Sequence, residues 1–113
     1  MPKESKIKLL VTLDDNKMPE KIEWEADDAG FSGQKESQTL MLSLWDKKDK
    51  MTYSIDIWTK EMTIEDMRIH FYQVFLKMAD TFERATQSAD VAEVIRNFSS
   101  EFAKRTGMKD FPK

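Results

Sequence analysis

Residues that could take part in chemistry are few and are not grouped. The 113-residue chain has a single histidine, His70, and no cysteine. A catalytic histidine needs a nucleophile or a second acid nearby. The pattern marks neither, although Asp66, one helical turn earlier, could pair with His70. Without cysteine there can be no disulfide and no cysteine-ligated metal. We therefore interpret His70 as a structural or solvated side chain.

The acidic and glycine-containing segment from residue 27 to residue 38 lacks the spacing of a ligand site. Asp27 and Asp28 are not followed by the alternating oxygen ligands and terminal Glu of a calcium loop. Gly30 and Gly33 form a lone GxxG outside the strand–loop–helix setting in which such loops bind phosphate. The sequence predicts no metal, no other cofactor and no enzymatic activity.

Three tryptophans lie on predicted strands. Trp24 falls on the apolar face of its strand, which predicts a core position. Trp45 and Trp58, together with Met41, fall on a face that otherwise carries Ser, Thr and Asp. Exposed Trp and Met side chains mark contact surfaces, so Met41, Trp45 and Trp58 are the candidate partner interface. The alternative is that the loop from Asp27 to Gln38 folds over them.

A first β-hairpin is predicted near the start of the chain. Apolar and polar residues alternate from Lys6 to Leu13 and from Glu20 to Ala26, the period of strands with one buried face. Residues 14–17 supply the turn. The apolar faces coincide when Val11 pairs with Ile22, Leu9 with Trp24, and Ile7 with Ala26.

A second β-hairpin follows from the same alternation. Its strands run from Thr39 to Asp46 and from Met51 to Trp58, with a turn at residues 47–50. The apolar faces coincide when Leu44 pairs with Tyr53, Leu42 with Ile55, and Leu40 with Ile57.

Two helices are predicted after the strands. From Ile64 to Thr86 apolar residues recur in steps of three and four, after a sequence at Thr63–Asp66 that resembles a capping box. Ser88 precedes a second helix that Gly107 ends. The apolar stripe of this second helix consists of Val91, Val94, Ile95, Phe98 and Phe102. The first helix is apolar around more than half its circumference. Either the second helix or a partner subunit would have to cover it.

Strands followed by helices predict an α+β fold. We expect a four-stranded antiparallel sheet of two β-hairpins, followed by two C-terminal helices packed on one face. The pattern leaves open whether the hairpins join through the strand of Leu13 or that of Trp24. We expect a single domain over residues 1–113, with an ordered core from about residue 6 to residue 107 and a tail at 108–113.

Composition limits the partners. The chain has 18 Lys and Arg against 21 Asp and Glu, which is not the basic footprint of a nucleic-acid-binding protein. Its uninterrupted apolar runs are far shorter than the roughly 20 residues of a membrane span, and no apolar signal core follows the N-terminus. We expect a soluble cytoplasmic protein without membrane insertion.

Four segments resemble the GldC family, small cytoplasmic proteins associated with gliding motility in Bacteroidetes. The segments are Lys21–Ala26 (KIEWEA), Met41–Asp46 (MLSLWD), Ile55–Met62 (IDIWTKEM) and Met78–Thr86 (MADTFERAT). The resemblance runs from about Ile7 to Phe102. It implies an accessory of the gliding apparatus and supplies no catalytic motif.

Two function classes remain after these observations. The leading hypothesis is a non-enzymatic interaction protein of gliding motility that forms a homo-oligomer or contacts other motility or secretion proteins. The alternative is a cytoplasmic holder of exported chains, because four strands followed by two helices is also the order in the export chaperone SecB. A small-ligand site between the first helix and the sheet would need convergent polar groups, and Tyr53 is nearly the only candidate.

Overall fold

Strands precede helices along the chain, and the predicted α+β class is confirmed. The computed structural model describes residues 2–108. Its contacts divide the chain after Met62 into two units, called here the strand unit and the helix unit. The elements are β1 (Ile7–Leu13), β2 (Pro19–Ala26), β3 (Lys35–Ser37), β4 (Thr39–Trp45), β5 (Thr52–Trp58), α1 (Ile64–Thr86) and α2 (Ala89–Arg105).

Two of the predictions on domain organisation remain predictions. These are the single domain over residues 1–113 and the packing of the helices on one face of the sheet. The predicted tail at 108–113 lies, apart from Met108, outside the described residues.

Both hairpins have the predicted register. β1 pairs antiparallel with β2, with Val11 opposite Ile22, and β4 pairs antiparallel with β5, with Leu42 opposite Ile55. Ile22 is fully buried. It lies on the central strand between Val11 of β1 and Ser37 of β3, so the core of the strand unit is centred on this side chain.

The prediction of a single four-stranded sheet requires a correction, because β3 forms within the segment predicted to be a loop. β3 pairs with β2, with Ile22 opposite Ser37 and Trp24 opposite Lys35. The strands therefore form two sheets, one of order β1-β2-β3 and one of order β4-β5. β3 occupies the second edge of β2, and in the described residues β1 has no strand on its outer edge. Neither way of joining the hairpins is therefore realised. The chain passes from one sheet to the other at Gln38, a bend between β3 and β4.

The first turn is held by one carboxylate. Asp14 accepts hydrogen bonds from the backbone N–H groups of Asn16 and Met18 at 2.9 and 3.0 Å, and its carboxylate lies 3.2 Å from the Lys60 ammonium. The bond from Met18 is the largest cause of a lowered pKa at Asp14, because hydrogen bonds to a carboxylate favour its charged form.

The ends of the helices follow the predicted signals with one difference. Thr63 begins α1, and its Oγ1 accepts a hydrogen bond from the Asp66 backbone N–H at 3.0 Å. Ser88 occupies the N-cap position of α2, but its side chain makes no capping hydrogen bond. Gly107, just past α2, has a φ of 76°, the left-handed conformation that favours glycine after a helix.

Each of the two helices has two buried residues, and three of these four have small side chains. Tyr72 and Ala79 on α1 and Ala92 and Ser99 on α2 are buried, and each pair is seven residues apart on one helical stripe. Phe75, on one flank of the α1 stripe, contacts Phe98 and Phe102 at 5.1 Å between ring centroids. Asp80, on the other flank, contacts Arg96 at 3.0 Å. Since both flanks contact α2, Ala79 faces α2.

The N-cap bond of α1 gives a first prediction. Thr63→Ala should lower the free energy of unfolding by about 1 kcal/mol, because the Asp66 N–H loses its acceptor. Thermal unfolding followed by circular dichroism at 222 nm measures this loss. Ser88→Ala is the matched control and should have a smaller effect, since the Ser88 side chain makes no cap bond. Equal losses of stability in both variants would contradict the assignment of Thr63 as the side chain that caps α1.

Candidate protein-interaction surface

The β4–β5 hairpin carries the three predicted interface residues. Its turn is built by Asp46, whose carboxylate accepts hydrogen bonds from the backbone N–H groups of Lys48 and Asp49 at 3.0 and 2.7 Å. This is the local chemistry that makes Asp a turn residue. With the turn fixed, the ladder places Thr39 opposite Trp58, Met41 opposite Asp56, and Trp45 opposite Thr52.

Met41, Trp45 and Trp58 share one face, called here the tryptophan face, but they lie at two places on it. Trp45 pairs with Thr52 at the turn end of the hairpin, and Trp58 pairs with Thr39 at the open end. At about 3.4 Å per residue, these two positions are roughly 20 Å apart along β5. Met41 is the diagonal neighbour of Trp58. The surface therefore has two apolar ends rather than one cluster.

Both indole rings are open to solvent. Trp45 is 64% exposed and Trp58 is 57% exposed, while Met41 is half-buried. The loop that could have folded over them packs elsewhere: the ring of Phe31 contacts Trp24 edge-on at 5.2 Å. Trp24, which the sequence placed in the core, is half-buried beneath that contact.

The opposite face of the same hairpin is also partly open. Leu44, Tyr53 and Ile55 are each about half exposed. The Tyr53 hydroxyl donates a hydrogen bond to the Asp49 carboxylate, and this bond raises the pKa of Tyr53 because the proton is shared with an anionic acceptor. Sequence periodicity identified this face as apolar but did not show its exposure.

The residues considered for catalysis or metal binding take part in packing or in hydrogen bonds with neighbouring residues and segments. His70 is half-buried on α1, with its ring edge-on to Phe71 at 6.4 Å. The carboxylate of Asp27 accepts a hydrogen bond from the Lys6 backbone N–H at 2.9 Å, and that of Asp28 accepts one from the Ser5 hydroxyl. Within residues 2–108, no three His, Asp or Glu side chains are placed to hold a metal ion.

The helix unit exposes apolar side chains that the sequence pattern predicted to be buried. Val94 and Phe98 of α2 and Met78 of α1 are each more than half exposed. A groove of about 490 Å³ lies beside them, lined by Val74, Lys77, Met78, Thr81, Phe82, Ala85 and Ile95. α2 packs against the α1 face that carries Phe75, Ala79 and Asp80, so it accounts for only part of the broad apolar surface of α1.

The fold and this surface define a small α+β protein that presents tryptophan side chains on an exposed strand face. The chain belongs to the GldC-like family of gliding motility-associated proteins, whose family model matches residues 19–108. Comparison with the curated proteins and with the solved structures gives no match. No helix of the described residues is long and apolar enough to cross a membrane.

Proposed function

We propose that this protein is a non-enzymatic accessory of the gliding motility apparatus that acts through protein–protein contacts of its tryptophan face. Family membership supports the association with motility. The exposure of Trp45 and Trp58 carries the proposal for how it acts, because isolated indole rings on a polar strand face gain most when a partner buries them.

The spacing of the rings describes the partner surface. Ser43 and Ser54 pair directly across the middle of the tryptophan face, so its centre is polar while its ends are apolar. A fitting partner offers two apolar pockets roughly 20 Å apart, following the rise of about 3.4 Å per residue in a strand. Its hydrogen-bonding groups lie between the pockets. Other motility or secretion proteins are the expected partners.

A double substitution tests the tryptophan face. Trp45→Ser with Trp58→Thr should remove the captured motility or secretion components when the protein is crosslinked in its native cells, purified by affinity and analysed by mass spectrometry. Alanine scans show that truncated tryptophan anchors often cost 2 kcal/mol or more of binding, roughly thirtyfold in affinity per residue. Far-UV circular dichroism should be unchanged, since both rings are exposed.

The control pair lies on the other face of the same hairpin. Leu44→Thr with Ile55→Thr removes apolar side chains of similar exposure, at 56% and 53%, and should leave the captured components in place. Loss of capture in this control alone would move the interface to the opposite face and overturn the proposal. Unchanged capture in both double variants would overturn it as well.

A second candidate function is the holding of unfolded exported chains, as the SecB-like strand and helix order suggested. The observation that favours it is the number of exposed large apolar side chains in both units, among them Leu44, Ile55, Val94 and Phe98. A holder would suppress the aggregation of a chemically unfolded client at stoichiometric amounts. Aggregation unchanged at an excess of this protein would exclude that function.

A further inference from the structure

The two edges of the three-stranded sheet differ in how well they are protected. β3 forms one edge with only three residues, Lys35–Ser37, two of them charged. Short, charged strands are a common protection against unwanted pairing. β1 forms the other edge with seven residues and no proline. Four of its side chains are exposed large apolar groups: Ile7, Leu9, Leu10 and Leu13. A long apolar edge is a template for another strand.

Hydrogen bonds at the two ends of β1 fix which backbone groups point outward. The carbonyl of Lys6 accepts from the Asp27 N–H at 3.0 Å, and the N–H of Asp14 donates to the Met18 carbonyl at 2.9 Å. Backbone groups alternate between the two sides of a strand. The even-numbered residues of β1 therefore bond to β2, and the odd-numbered ones direct N–H and C=O groups away from the sheet.

We propose that β1 pairs antiparallel with β1 of a second copy of this chain, with Leu10 on the two-fold axis. This register places every apolar residue of the strand opposite another one: Ile7 opposite Leu13, Leu9 opposite Val11, and Leu10 opposite Leu10. The outward-pointing backbone groups of the odd-numbered residues meet as hydrogen-bonded pairs. Such cross-strand pairs are the unit of sheet stabilisation.

Charges also favour this register. Lys8 comes opposite Thr12, and Lys6 comes opposite Asp14 of the second copy, so no two lysines meet. A shift by two residues in one direction places Lys8 opposite Leu10. A shift by two in the other direction places Ile7 opposite Asp15. Only the register centred on Leu10 therefore pairs apolar residues throughout.

The partner strand on the β1 edge is β1 of a second copy, because β1 is complementary to itself in this register. An isologous contact between identical strands is closed by two-fold symmetry. The charged β3 edge stops further growth of the sheet, so the product is a dimer with a continuous six-stranded sheet. This inference uses β1 and not the tryptophan face, and it does not rest on the proposed function.

A single cysteine tests the register directly, since the chain has none of its own. The two Leu10 residues form a non-hydrogen-bonded pair, in which Cα atoms are about 4.5 Å apart. That spacing lies within the range of about 4.4–6.8 Å that a disulfide spans. Leu10→Cys should therefore give a disulfide-linked dimer of the full chain under mild oxidation, seen on a non-reducing gel. Leu10 is 54% exposed, so the monomer tolerates the change.

Matched cysteines on the same face complete the test. Lys8→Cys alone should not crosslink, because the two copies of residue 8 lie four residues apart along the strands, roughly 14 Å at about 3.4 Å per residue. Lys8→Cys mixed with Thr12→Cys should crosslink, because these positions are opposite each other. Efficient crosslinking of Lys8→Cys alone, or none of Leu10→Cys, overturns the proposal.

The oligomeric state gives an independent measurement. Sedimentation equilibrium of the unsubstituted chain should give twice the mass of 13.3 kDa. Leu10→Lys should give the mass of one chain, with unchanged circular dichroism. In a dimer of this variant two ammonium groups would meet on the two-fold axis. A monomer for the unsubstituted chain, or a dimer that Leu10→Lys leaves intact, overturns the proposal.

Discussion

Ile22→Ala should lower the free energy of unfolding by about 2–5 kcal/mol, the range for removing a large aliphatic side chain from a core. Ile22 has no exposed surface and lies on the central strand of its sheet. Neighbours on β1 and β3 flank it, so the space left by the substitution cannot fill with solvent without cost. All three tryptophans lie in the strand unit, and urea unfolding followed by tryptophan fluorescence reports on this unit.

Ile55→Ala is the matched control for Ile22→Ala. It removes the same atoms from a strand of the same unit, but Ile55 is 53% exposed. Its loss of stability should be less than half as large, since the stabilisation scales with the apolar area removed from water. If the two variants shift the urea midpoint equally, the burial of Ile22 is not what stabilises the strand unit.

The hairpins could be predicted because each strand alternates and each turn has its own chemistry. A slip of one residue would turn every apolar side chain to the other face. The alternation around Val11 and Ile22 therefore fixed which faces coincide, the turn at residues 14–17 limited the register, and the structure has the predicted pairing. Asp14 and Asp46 close the two turns through their carboxylates, which is the behaviour expected of Asp in turns.

β3 could not be predicted from its sequence. Lys35, Glu36 and Ser37 carry no apolar residue that could show a two-residue period. They form a strand because they pair with the open edge of β2. This pairing is a tertiary contact, and the local sequence pattern does not indicate it. The same strand occupies one of the two positions that the second hairpin could have taken, the outer edge of β2.

The candidate surface was predictable in its residues but not in its exposure. Alternation placed Trp45 and Trp58 on one face, and the predicted register already implied that they lie at opposite ends of the hairpin. Whether a loop covers them depends on where Phe31 packs, and a single ring without a periodic pattern gives no such signal. Phe31 packs on Trp24, and the two other indole rings remain exposed.

The helix periodicity overstated burial for a physical reason. A stripe wide enough to include Val94 and Phe98 covers more of the α2 surface than one partner helix can bury. The structure buries only the narrow line of Ala92 and Ser99, where small side chains allow the helices to approach. The spacing of apolar residues gives the direction of a helix face. The size of the residues decides where two helices touch.

Ala79→Leu should therefore destabilise the helix pair by about 1–3 kcal/mol, the usual cost of inserting extra carbons into a well-packed contact. Ala79 is fully buried and faces α2 between Phe75 and Asp80, which both contact that helix. Three added carbons must separate the helices or force a strained rotamer. Either response weakens the ring contacts at Phe75 and the ion pair at Arg96. Unfolding followed by circular dichroism at 222 nm measures the loss.

Ala85→Leu separates packing from helix propensity. The substitution is the same, on the same helix, but Ala85 is exposed beside the apolar groove, and Leu is nearly as good a helix former as Ala. This variant should change the unfolding midpoint little, within the roughly 0.5 kcal/mol typical of surface substitutions. Equal destabilisation by both variants would mean that the side chain itself, and not its place between the helices, sets the cost. The close approach of α1 and α2 at Ala79 would then not determine the stability of the pair.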